Sequence, residues 1–597
     1  MTDLPIVLDF ETEAIEKGAP LLPYPVGCAI IDPDLYPEGH YFSWGHPEDN
    51  NCTKEEFGEY LASIWHRRIL TQNGATFDIM VAGHHFGLPE RDPLLTDDTL
   101  FESYLHNPHA RSLSLKDLAN DWLGIPPDEQ TEMNNWLMTN LKIPKSECGA
   151  NISKAPARLV GPYAIADCRM TKELHEYVSP LISEMREPYE RELRLAPILS
   201  DIRNRGVRVD VRRLAEDYLV AMRKLGEMDA LIRARLNAPN LSVDSDAELG
   251  VALVAAGFSN FMLTKTGKLS MNKLSIAQAL EEDPELQRML RCRAIYSTLT
   301  GTFMWPWLRY AQANGGRVHA GYNQVRNPDG FGTRTGRLSS SDPNFQNVPN
   351  EFEGLDWWDE PYPIMRSYLL PEEGHEWTCG DFKNQEPRLA AHFEDGAFMR
   401  AFNENPLLDP YIFLCDVAGM PHSQRKKAKT IYLGLLYAMG VALLAEKMGI
   451  SEQEAAILRN VIKASIPDIV ALDMDCKTRF KRGMPIKTLG GRFYFCEPPS
   501  GGRTWDYKAL NTLIQGSAAD QTKEAMIYAY HQLKIRCPGA RLLCTVHDEY
   551  SVSHAPEQRE EVYKIMAESA NALPCDVPML MDIFTGDRWS EAEEKAA

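Results

Sequence analysis

The feature that most constrains this chain is an acidic corner between two strand-like runs at 542–553, Leu-Leu-Cys-Thr-Val-His-Asp-Glu-Tyr-Ser-Val-Ser. The apolar and β-branched content on either side predicts a β-hairpin with Asp548 and Glu549 at its tip. Aspartate is a poor strand former, and an unpaired carboxylate among apolar neighbours is costly. The corner is therefore either a solvated turn or a site for a counter-ion, a metal or catalysis. A second carboxylate-bearing strand elsewhere in the chain would decide between these alternatives.

The size and composition of the chain predict a globular protein of several domains. Its 597 residues predict two to four domains, and 44% hydrophobic with 25% charged residues is typical of globular proteins. No apolar run is long enough to span a bilayer, and residues 1–5 lack a secretory signal pattern, so a cytoplasmic protein is predicted. The 12 cysteines include no Cys-x-x-Cys pair, which favours free thiols over a zinc site.

The net charge of −21 argues against a nucleic-acid partner, but only weakly, because a DNA channel needs only local positive potential. The run 477–492 supplies such a place, since it contains six basic residues and no acid. Those residues are Lys477, Arg479, Lys481, Arg482, Lys487 and Arg492. Taken alone, the run is better explained as a solvated loop.

Four acids, in three segments of the first part of the chain, favour a metal site. Asp9 and Glu11 end an apolar run, and strand alternation places them on one face, where they repel each other unless a cation lies between them. Asp78 follows a second apolar segment. Tyr163 and Asp167 stand four residues apart, on one face of a predicted helix.

In this order, the acidic segments resemble the three exonuclease motifs of the DnaQ-like, ribonuclease H-like 3′–5′ exonucleases. The resemblance implies a two-metal phosphodiesterase in which Asp9, Glu11 and Asp167 hold metals with support from Asp78. It also implies that Tyr163 orients the attacking water. The alternative is that these acids belong to unrelated surface loops.

A second carboxylate strand is predicted at 376–381, where an apolar run ends in Asp381. It follows a loop at 333–349 that is rich in Gly, Ser, Asn and Pro. In the predicted helix 425–438, four side chains recur every fourth residue, namely Arg425, Lys429, Leu433 and Tyr437. Successive members turn by about 40°, so they form a stripe that begins cationic and ends aromatic. Such a stripe suits a triphosphate at one end and a base at the other.

Together these segments resemble the family A DNA polymerases, the family of bacterial DNA polymerase I, over essentially the whole chain. Asp381 begins motif A, 425–437 is motif B and 547–549 is motif C, while 335–340 and 515–520 are further family strings. The resemblance implies an α/β multidomain fold: a ribonuclease H-like 3′–5′ exonuclease domain followed by a right-hand polymerase domain. The predicted domains are 1–186 for the exonuclease and 187–597 for the polymerase, with 187–322 mainly thumb, 323–405 and 500–597 palm, and 406–499 fingers.

The resemblance also implies roles for individual residues. Asp381 and Asp548, with the Phe382 carbonyl, would hold two Mg²⁺, with Mn²⁺ as a substitute. Arg425 and Lys429 would hold the triphosphate, and Lys429 would protonate the leaving pyrophosphate. Glu386 would exclude a ribose 2′-hydroxyl, with Leu433 and Tyr437 completing the nucleotide site. The predicted DNA contacts are Arg337, Asn511, Gln515, His547 and Glu549.

Four positions depart from the family pattern without removing a metal ligand. Leu433 replaces a frequent Phe or Tyr, which predicts altered nucleotide affinity and dideoxynucleotide sensitivity. Tyr411 replaces a frequent His, Tyr507 replaces an Arg that holds the template, and Ala438 replaces the usual Gly. Activity is expected despite these changes.

The sequence predicts a replicative DNA polymerase with proofreading, of compact phage or phage-related type and located in the host cytoplasm if phage-encoded. Its expected partners are primer–template DNA, dNTPs, single-stranded DNA at the exonuclease site and other replisome proteins, with no membrane. No large insertion that would dock a processivity factor is evident between Gly206 and Arg337. The alternatives are an exonuclease with an impaired polymerase, a DNA-binding scaffold with vestigial sites, and a single-subunit RNA polymerase. Glu386 and the exonuclease motifs argue against the last.

Overall fold

The N-terminal part of the computed structural model is a mixed five-stranded sheet covered by helices on both faces. The structure describes residues 4–126, 131–264, 266–326, 332–349 and 362–594. The strands, in the spatial order β3-β2-β1-β4-β5, are β1 Ile6–Thr12, β2 Pro25–Asp32, β3 Tyr36–Ser43, β4 Ile69–Thr71 and β5 Thr96–Asp98. The central strand β1 runs antiparallel to β2 and parallel to β4.

Alternation along β1 determines what each face of this sheet meets. The helices of this part are α1 Lys54–Ile64, α2 Asp78–Phe86, α3 Thr99–His106, α4 Leu115–Leu118, α5 Thr131–Asn140 and α6 Ala157–Val178. Ile6, Leu8 and Phe10 pack with side chains of α1 and α2. Val7 packs on the opposite side with α6. Asp9 and Glu11 share the parity of Val7, so they project towards α6.

A largely helical segment follows. Its elements are α7 Arg186–Arg205, β6 Val207–Val209, α8 Val211–Arg235, α9 Asp246–Ala255, α10 Lys273–Ala279, α11 Pro284–Thr298, α12 Trp305–Ala313, β7 Arg317–Val318 and β8 Gly321–Asn323. The helices α8 to α11 share a core that includes Met228, Ile232, Leu253 and Leu286. Helix α7 begins at the last residue of the predicted first domain and packs against the long C-terminal helix α20, Ala509–Arg536.

The next part is a short antiparallel pairing and a helical layer. Its elements are β9 Ser339–Ser341, β10 Leu369–Leu370, β11 Glu376–Phe382, α13 Gln385–Glu394, α14 Ala397–Glu404, α15 Pro410–Ala418, α16 Arg425–Leu436, α17 Val441–Met448, α18 Glu452–Ser465, α19 Pro467–Lys481, β12 Ile486–Lys487 and β13 Phe493–Tyr494. Phe398, Tyr432 and Ile462, from three of these helices, meet in one buried cluster. The predicted motif B helix is α16, and Tyr437 is its C-terminal cap residue.

A four-stranded antiparallel sheet lies at the centre of the C-terminal half, in the order β14-β15-β11-β16. The remaining elements are α20 Ala509–Arg536, β14 Arg541–Val546, β15 Glu549–His554, α21 Arg559–Ser569, β16 Met581–Gly586 and α22 Trp589–Glu594. Phe382, Tyr550 and Val552 pack with α20 and α21. Trp377 stacks on Trp589 of α22 at a centroid distance of 5.7 Å. The predicted hairpin at 542–553 is present as β14, a two-residue turn and β15.

Short 3₁₀ and π turns lie between these helices and strands. 3₁₀ turns occupy Pro93–Leu95, Lys145–Glu147, Gly149–Lys154, Ser179–Met185, Phe345–Asn347, Met365–Tyr368, His422–Gln424, Asp506–Lys508 and Pro556–Gln558, and π turns occupy Ala119–Leu123 and Leu299–Met304. Among the helices of the described residues, none has the length and apolar content needed to cross a bilayer.

Candidate active sites

The first candidate site lies at the end of the central sheet, where Asp381 and Asp548 come together from separate strands. Asp381 is next to last in β11 and pairs in register with Glu549 of β15. The backbone N–H of Phe382 donates to the Asp548 carbonyl at 3.3 Å, which ties the end of β11 to the hairpin turn. The second carboxylate strand predicted from the sequence is thus adjacent to the first.

Desolvation and mutual repulsion dominate the electrostatics of this site. Desolvation, followed by repulsion from Asp548 and Glu549, raises the pKa of Asp381 to about 8. Desolvation also raises the pKa of Asp548, while Arg337 and His547 act in the opposite direction. Carboxylates that destabilise each other's charge in this way are typical of a site that binds cations.

The site contains a further acid that the sequence did not predict. Asp582 of β16 lies directly opposite Asp381, on the other side from Glu549. The Lys383 ammonium donates to Asp582 Oδ1 at 2.9 Å and balances its charge. No sequence motif surrounds Asp582, so only the register of the sheet reveals it.

Gln346 braces the turn that carries Asp548. Its Oε1 accepts from the His547 backbone N–H at 2.8 Å, and its Nε2 donates to the Thr545 carbonyl at 3.1 Å. His547 itself adopts a left-handed backbone with φ of 55°. Because one carboxamide holds Thr545 and His547 together, Gln346 fixes the backbone that leads into Asp548. Its only signal in the sequence was membership of the polar 333–349 loop.

Glu549, a predicted DNA contact, has partners within the protein. Its Oε1 accepts from the Trp589 indole N–H at 2.9 Å and from the Cys379 thiol at 2.8 Å. The Arg366 guanidinium lies 3.7 Å from its Oε2. These contacts give the carboxylate a structural role, and its contact with DNA stays a prediction.

Among the predicted nucleotide residues, Tyr437 contacts Glu386 of α13. The Glu386 carboxylate accepts hydrogen bonds from Arg337 and from the Tyr437 hydroxyl. On α16, the Arg425 Nε donates to Asp409 Oδ2 at 2.7 Å. Lys429 Nζ lies 5.6 Å from the ring centroid of Tyr411, one of the four residues that depart from the family pattern. Leu433 packs against the surrounding helical core.

The predicted DNA contacts differ in how accessible they are. Asn511 and Gln515 are half-exposed and lie one turn apart near the start of α20. His547 is exposed at the tip of the hairpin. The basic run at 477–492, however, is not one surface, because Arg492 is only 1% exposed and ion-paired to Glu192. Lys481, Arg482 and Lys487 of the same run are exposed, so they keep the positive surface that the sequence predicts.

The second candidate site gathers the acids of the N-terminal part. Asp9 and Glu11 lie on β1, Asp78 begins α2, and Tyr163 and Asp167 lie on α6, as the strand and helix patterns predicted. Desolvation and repulsion from Asp167 and Asp78 raise the pKa of Glu11 to about 8. The Phe10 backbone N–H donates to Asp78 Oδ1 at 2.8 Å, whereas desolvation raises the pKa of Asp78 to about 7.

Lys116, which the sequence analysis missed, lies inside this acidic cluster. Its ammonium is 3.6 Å from Asp167 Oδ1 and 4.2 Å from the ring centroid of Tyr163. It also counteracts the raised pKa values of Asp9 and Glu11. Lys116 lies at the start of α4, so its presence depends on how α4 packs against α6.

The donor chemistry of both sites suits Mg²⁺, although the acids are not preassembled as a metal cage. Across the described ranges, no three or more His, Cys, Asp or Glu side chains are grouped so that they could hold a metal ion. The candidate ligands are carboxylates and the Phe382 carbonyl, the oxygen donors that Mg²⁺ prefers, and the repulsion between the carboxylates falls when a cation binds between them. The residues present therefore fit Mg²⁺ by charge and ligand type.

Comparisons with known proteins show the family to which the chain is similar. The family model for "DNA polymerase family A" matches residues 214–591. A DNA-directed DNA polymerase of Pseudomonas phage M6 is 30% identical over 497 residues, which is 73% of this chain and 71% of that protein. DNA polymerase I of Pseudomonas aeruginosa is 28% identical over 83% of this chain, and the match spans 54% of that longer protein.

A solved structure shows the same fold. It is described as the "POL domain of Pol1 from M. smegmatis complex with DNA primer-template and dNTP" and superposes with a TM-score of 0.78 at 21% identity. The superposition covers 98% of this chain and 96% of that one. The family predicted from the sequence is confirmed: the chain belongs to DNA polymerase family A and resembles its phage members.

Proposed function

We propose that this family A polymerase adds deoxynucleotides to a primer 3′ end at Asp381 and Asp548, and removes them by 3′–5′ exonuclease action at the N-terminal acids, in DNA replication. The observation that carries the proposal is the convergence of Asp381 and Asp548 at one sheet end, tied by the hydrogen bond from Phe382. The two carboxylates, with the Phe382 carbonyl, would hold two Mg²⁺. Bound Mg²⁺ would supply charge stabilisation to the attacking and leaving oxygens.

The side chains around this centre would bind and orient the nucleotide. Arg425 and Lys429 would neutralise the triphosphate, with Arg425 exchanging its carboxylate partner Asp409 for phosphate oxygens. The Lys429 ammonium would give a proton to the departing pyrophosphate. Glu386, fixed by Arg337 and Tyr437, would stand against the sugar and exclude a 2′-hydroxyl. Leu433 offers no ring to the sugar, so Leu433→Phe is expected to change dideoxynucleotide sensitivity.

The N-terminal acids would support proofreading in the same chain. Asp9, Glu11 and Asp167, with Asp78, would hold the metals, and Tyr163 would orient the attacking water. Lys116 would offset part of the negative charge and could contact the phosphodiester of single-stranded DNA. In this reading 1–186 is the exonuclease domain, and 187–597 forms thumb, palm and fingers around primer–template DNA and a dNTP.

One labelled primer–template with Mg²⁺, incubated with and without dNTPs, tests both activities. Asp548→Asn should abolish extension and leave degradation intact, whereas Asp9→Asn should abolish degradation and leave extension intact. Glu557→Gln is the matched control, because Glu557 is an exposed carboxylate outside both sites. A mismatched primer end should be removed before extension only when Asp9 is present.

The outcomes separate the alternatives. Extension that survives Asp548→Asn would contradict the assignment of the polymerase centre. Degradation without any extension by the unmodified protein would favour an exonuclease with an impaired polymerase. Activities unchanged by either substitution would favour a binding scaffold, and incorporation of ribonucleotides in preference to deoxynucleotides would favour an RNA polymerase.

A further inference from the structure

The loop 333–338, which ends just past Arg337, rests on buried side chains from two distant parts of the chain. From α3 in the N-terminal part, the Tyr104 hydroxyl donates to the Thr333 carbonyl at 3.0 Å. From the β12–β13 hairpin, Arg492 and Tyr494 lie under Gly336. A Cβ added at Gly336 would stand 2.7 Å from Arg492 Nη1 and 3.2 Å from the Tyr494 hydroxyl oxygen. The loop is thus seated directly on these three side chains.

Arg492 is held rigidly beneath the loop. Its Nη2 donates to Glu192 Oε1 at 2.7 Å and to Asp520 Oδ1 at 3.1 Å. Lys523 also donates to Glu192, at 2.6 Å, and all four side chains are at most 1% exposed. Charges buried this deeply are stable only when they are paired and hydrogen-bonded, so this network has little freedom to move.

The loop transmits its position to the proposed nucleotide gate. Thr333 Oγ1 donates to the Arg337 carbonyl at 2.8 Å, which closes the loop on itself. The Arg337 side chain donates to Glu386, whose other carboxylate oxygen accepts from Tyr437. A displaced loop would withdraw Arg337 and leave Glu386 held from one side only.

We propose that Tyr104 and Arg492 are positioning residues for nucleotide selection, because they seat the 333–338 loop so that Arg337 holds Glu386 in place. This inference rests on the proposed function of Glu386 as the group that excludes a 2′-hydroxyl. If so, the N-terminal part of the chain contributes to the nucleotide specificity of the polymerase, because the Tyr104 hydroxyl bonds to Thr333 in the other part.

Tyr104→Phe tests the proposal, because it removes only the hydroxyl that reaches Thr333. The measurement is the ratio of kcat/KM for dNTP and rNTP incorporation, together with the exonuclease rate on single-stranded DNA. The ratio should fall about three- to tenfold, the effect of losing one hydrogen bond, with the exonuclease rate unchanged. Tyr60→Phe is the control: it removes a hydroxyl that donates to Asp32 at 3.0 Å within the same part, far from the loop, and should leave the ratio unchanged.

Two further variants separate positioning from a merely structural role. Gly336→Ala should also lower the ratio, since its Cβ would collide with Arg492 at a φ of +86°. In a Glu386→Ala background, Tyr104→Phe should lower the ratio no further, because the two residues act in series. The proposal is overturned if Tyr104→Phe and Gly336→Ala both leave the ratio unchanged. It is also overturned if Tyr104→Phe lowers the ratio equally in the presence of Glu386 and in the Glu386→Ala background. If Glu386→Ala itself leaves the ratio unchanged, the gate assignment in the proposed function fails instead.

Discussion

At the scale of single residues, adjacent acids in the hairpin corner have opposite surroundings. Asp548 sits in the turn beside Asp381, whereas Glu549 begins β15 and turns to Trp589, Cys379 and Arg366. Glu549 pairs in register with Asp381 across β15 and β11, whereas Asp548 lies outside that register, in the turn. Adjacent acids of the hairpin therefore differ in role: Asp548 is a predicted metal ligand, and Glu549 accepts hydrogen bonds within the protein.

This contrast predicts opposite phenotypes for two neutralising substitutions. Glu549→Ala should lower the free energy of unfolding by about 2–3 kcal/mol, because the buried donors of Trp589 and Cys379 lose their acceptor. Asp548→Asn should abolish primer extension at an unchanged or slightly raised melting temperature, because it removes a repelled charge. Thermal unfolding and extension assays on both variants check this. Equal thermal stability of Glu549→Ala and the unmodified protein would contradict the assignment.

Ala438, which departs from the glycine that the family resemblance implies, carries backbone strain. Its φ is 53°, in the left-handed region that disfavours any side chain with a Cβ. Ala438→Gly should raise the free energy of unfolding by about 0.5–1 kcal/mol. This gain is the backbone strain that glycine relieves, reduced by the larger conformational entropy that glycine gives the unfolded chain. Denaturant unfolding measures the change. Gly440→Ala, two residues further on at a φ of −70°, is the control that should not stabilise in this way.

At the scale of elements, two acids from different helices meet the start of α14. Glu394 Oε1 accepts from the Phe398 backbone N–H at 2.6 Å, and Asp468 Oδ2 accepts from Ala397 N–H at 3.3 Å. Partial burial, with repulsion from Asp468, raises the pKa of Glu394 to about 7 despite the hydrogen bond. Each acid suits the positive end of the helix, but the pair does not tolerate two full charges.

Glu394 should therefore make stability depend on pH. Between about 4.5 and about 7 the folded state binds more protons than the unfolded chain, so stability is fully present below that window and falls as pH rises through it. Discounted for partial exposure, the loss is about 1–2 kcal/mol. Glu394→Gln should flatten the curve in this window, as measured by urea unfolding from pH 4.5 to 8. An unchanged slope, matching that of Glu557→Gln, would refute the prediction.

At the scale of the whole molecule, the two predicted domains share a core. Leu105, Leu174 and Val178 of the N-terminal part pack in one buried cluster with Tyr189 and Leu193 of α7. Hydrogen bonds also connect the two parts. The Leu21 N–H donates to Asn204 Oδ1 at 2.7 Å, and Asn314 Nδ2 donates to the Gly18 carbonyl at 3.1 Å. The parts are thus joined by apolar burial rather than by a bare linker.

A fragment of residues 187–597 should consequently be less stable than the full chain. It would expose Tyr189 and Leu193, and each such side chain contributes about 1.5–3 kcal/mol when buried. We expect its unfolding midpoint to fall by at least about 5 °C. Lys534→Met, which breaks the exposed pair with Glu90 at 2.9 Å and a cation–π contact with Tyr530, should shift the midpoint of the full chain by less than about 1 °C. Identical midpoints for fragment and full chain would contradict the shared core.

The sequence alone determined the elements whose pattern is local. Strand alternation placed Asp9 and Glu11 on one face, and turn chemistry and apolar runs predicted the 542–553 hairpin and the strand ending in Asp381. The motif order, read as a family resemblance, led to a family assignment that the comparisons confirm. These inferences succeeded because each depends on neighbours within a few residues.

Only the tertiary structure decided which charges are buried and what they meet. It placed Arg492 under the 333–338 loop, Asp582 opposite Asp381, Lys116 beside Asp167 and Gln346 across the hairpin turn. These relations join residues tens to hundreds of positions apart, through strand register and helix packing. The sequence does not show whether a single Arg, Gln or Asp faces solvent or a buried partner. The free energy of burying such a side chain depends on the partners that the folded structure places around it.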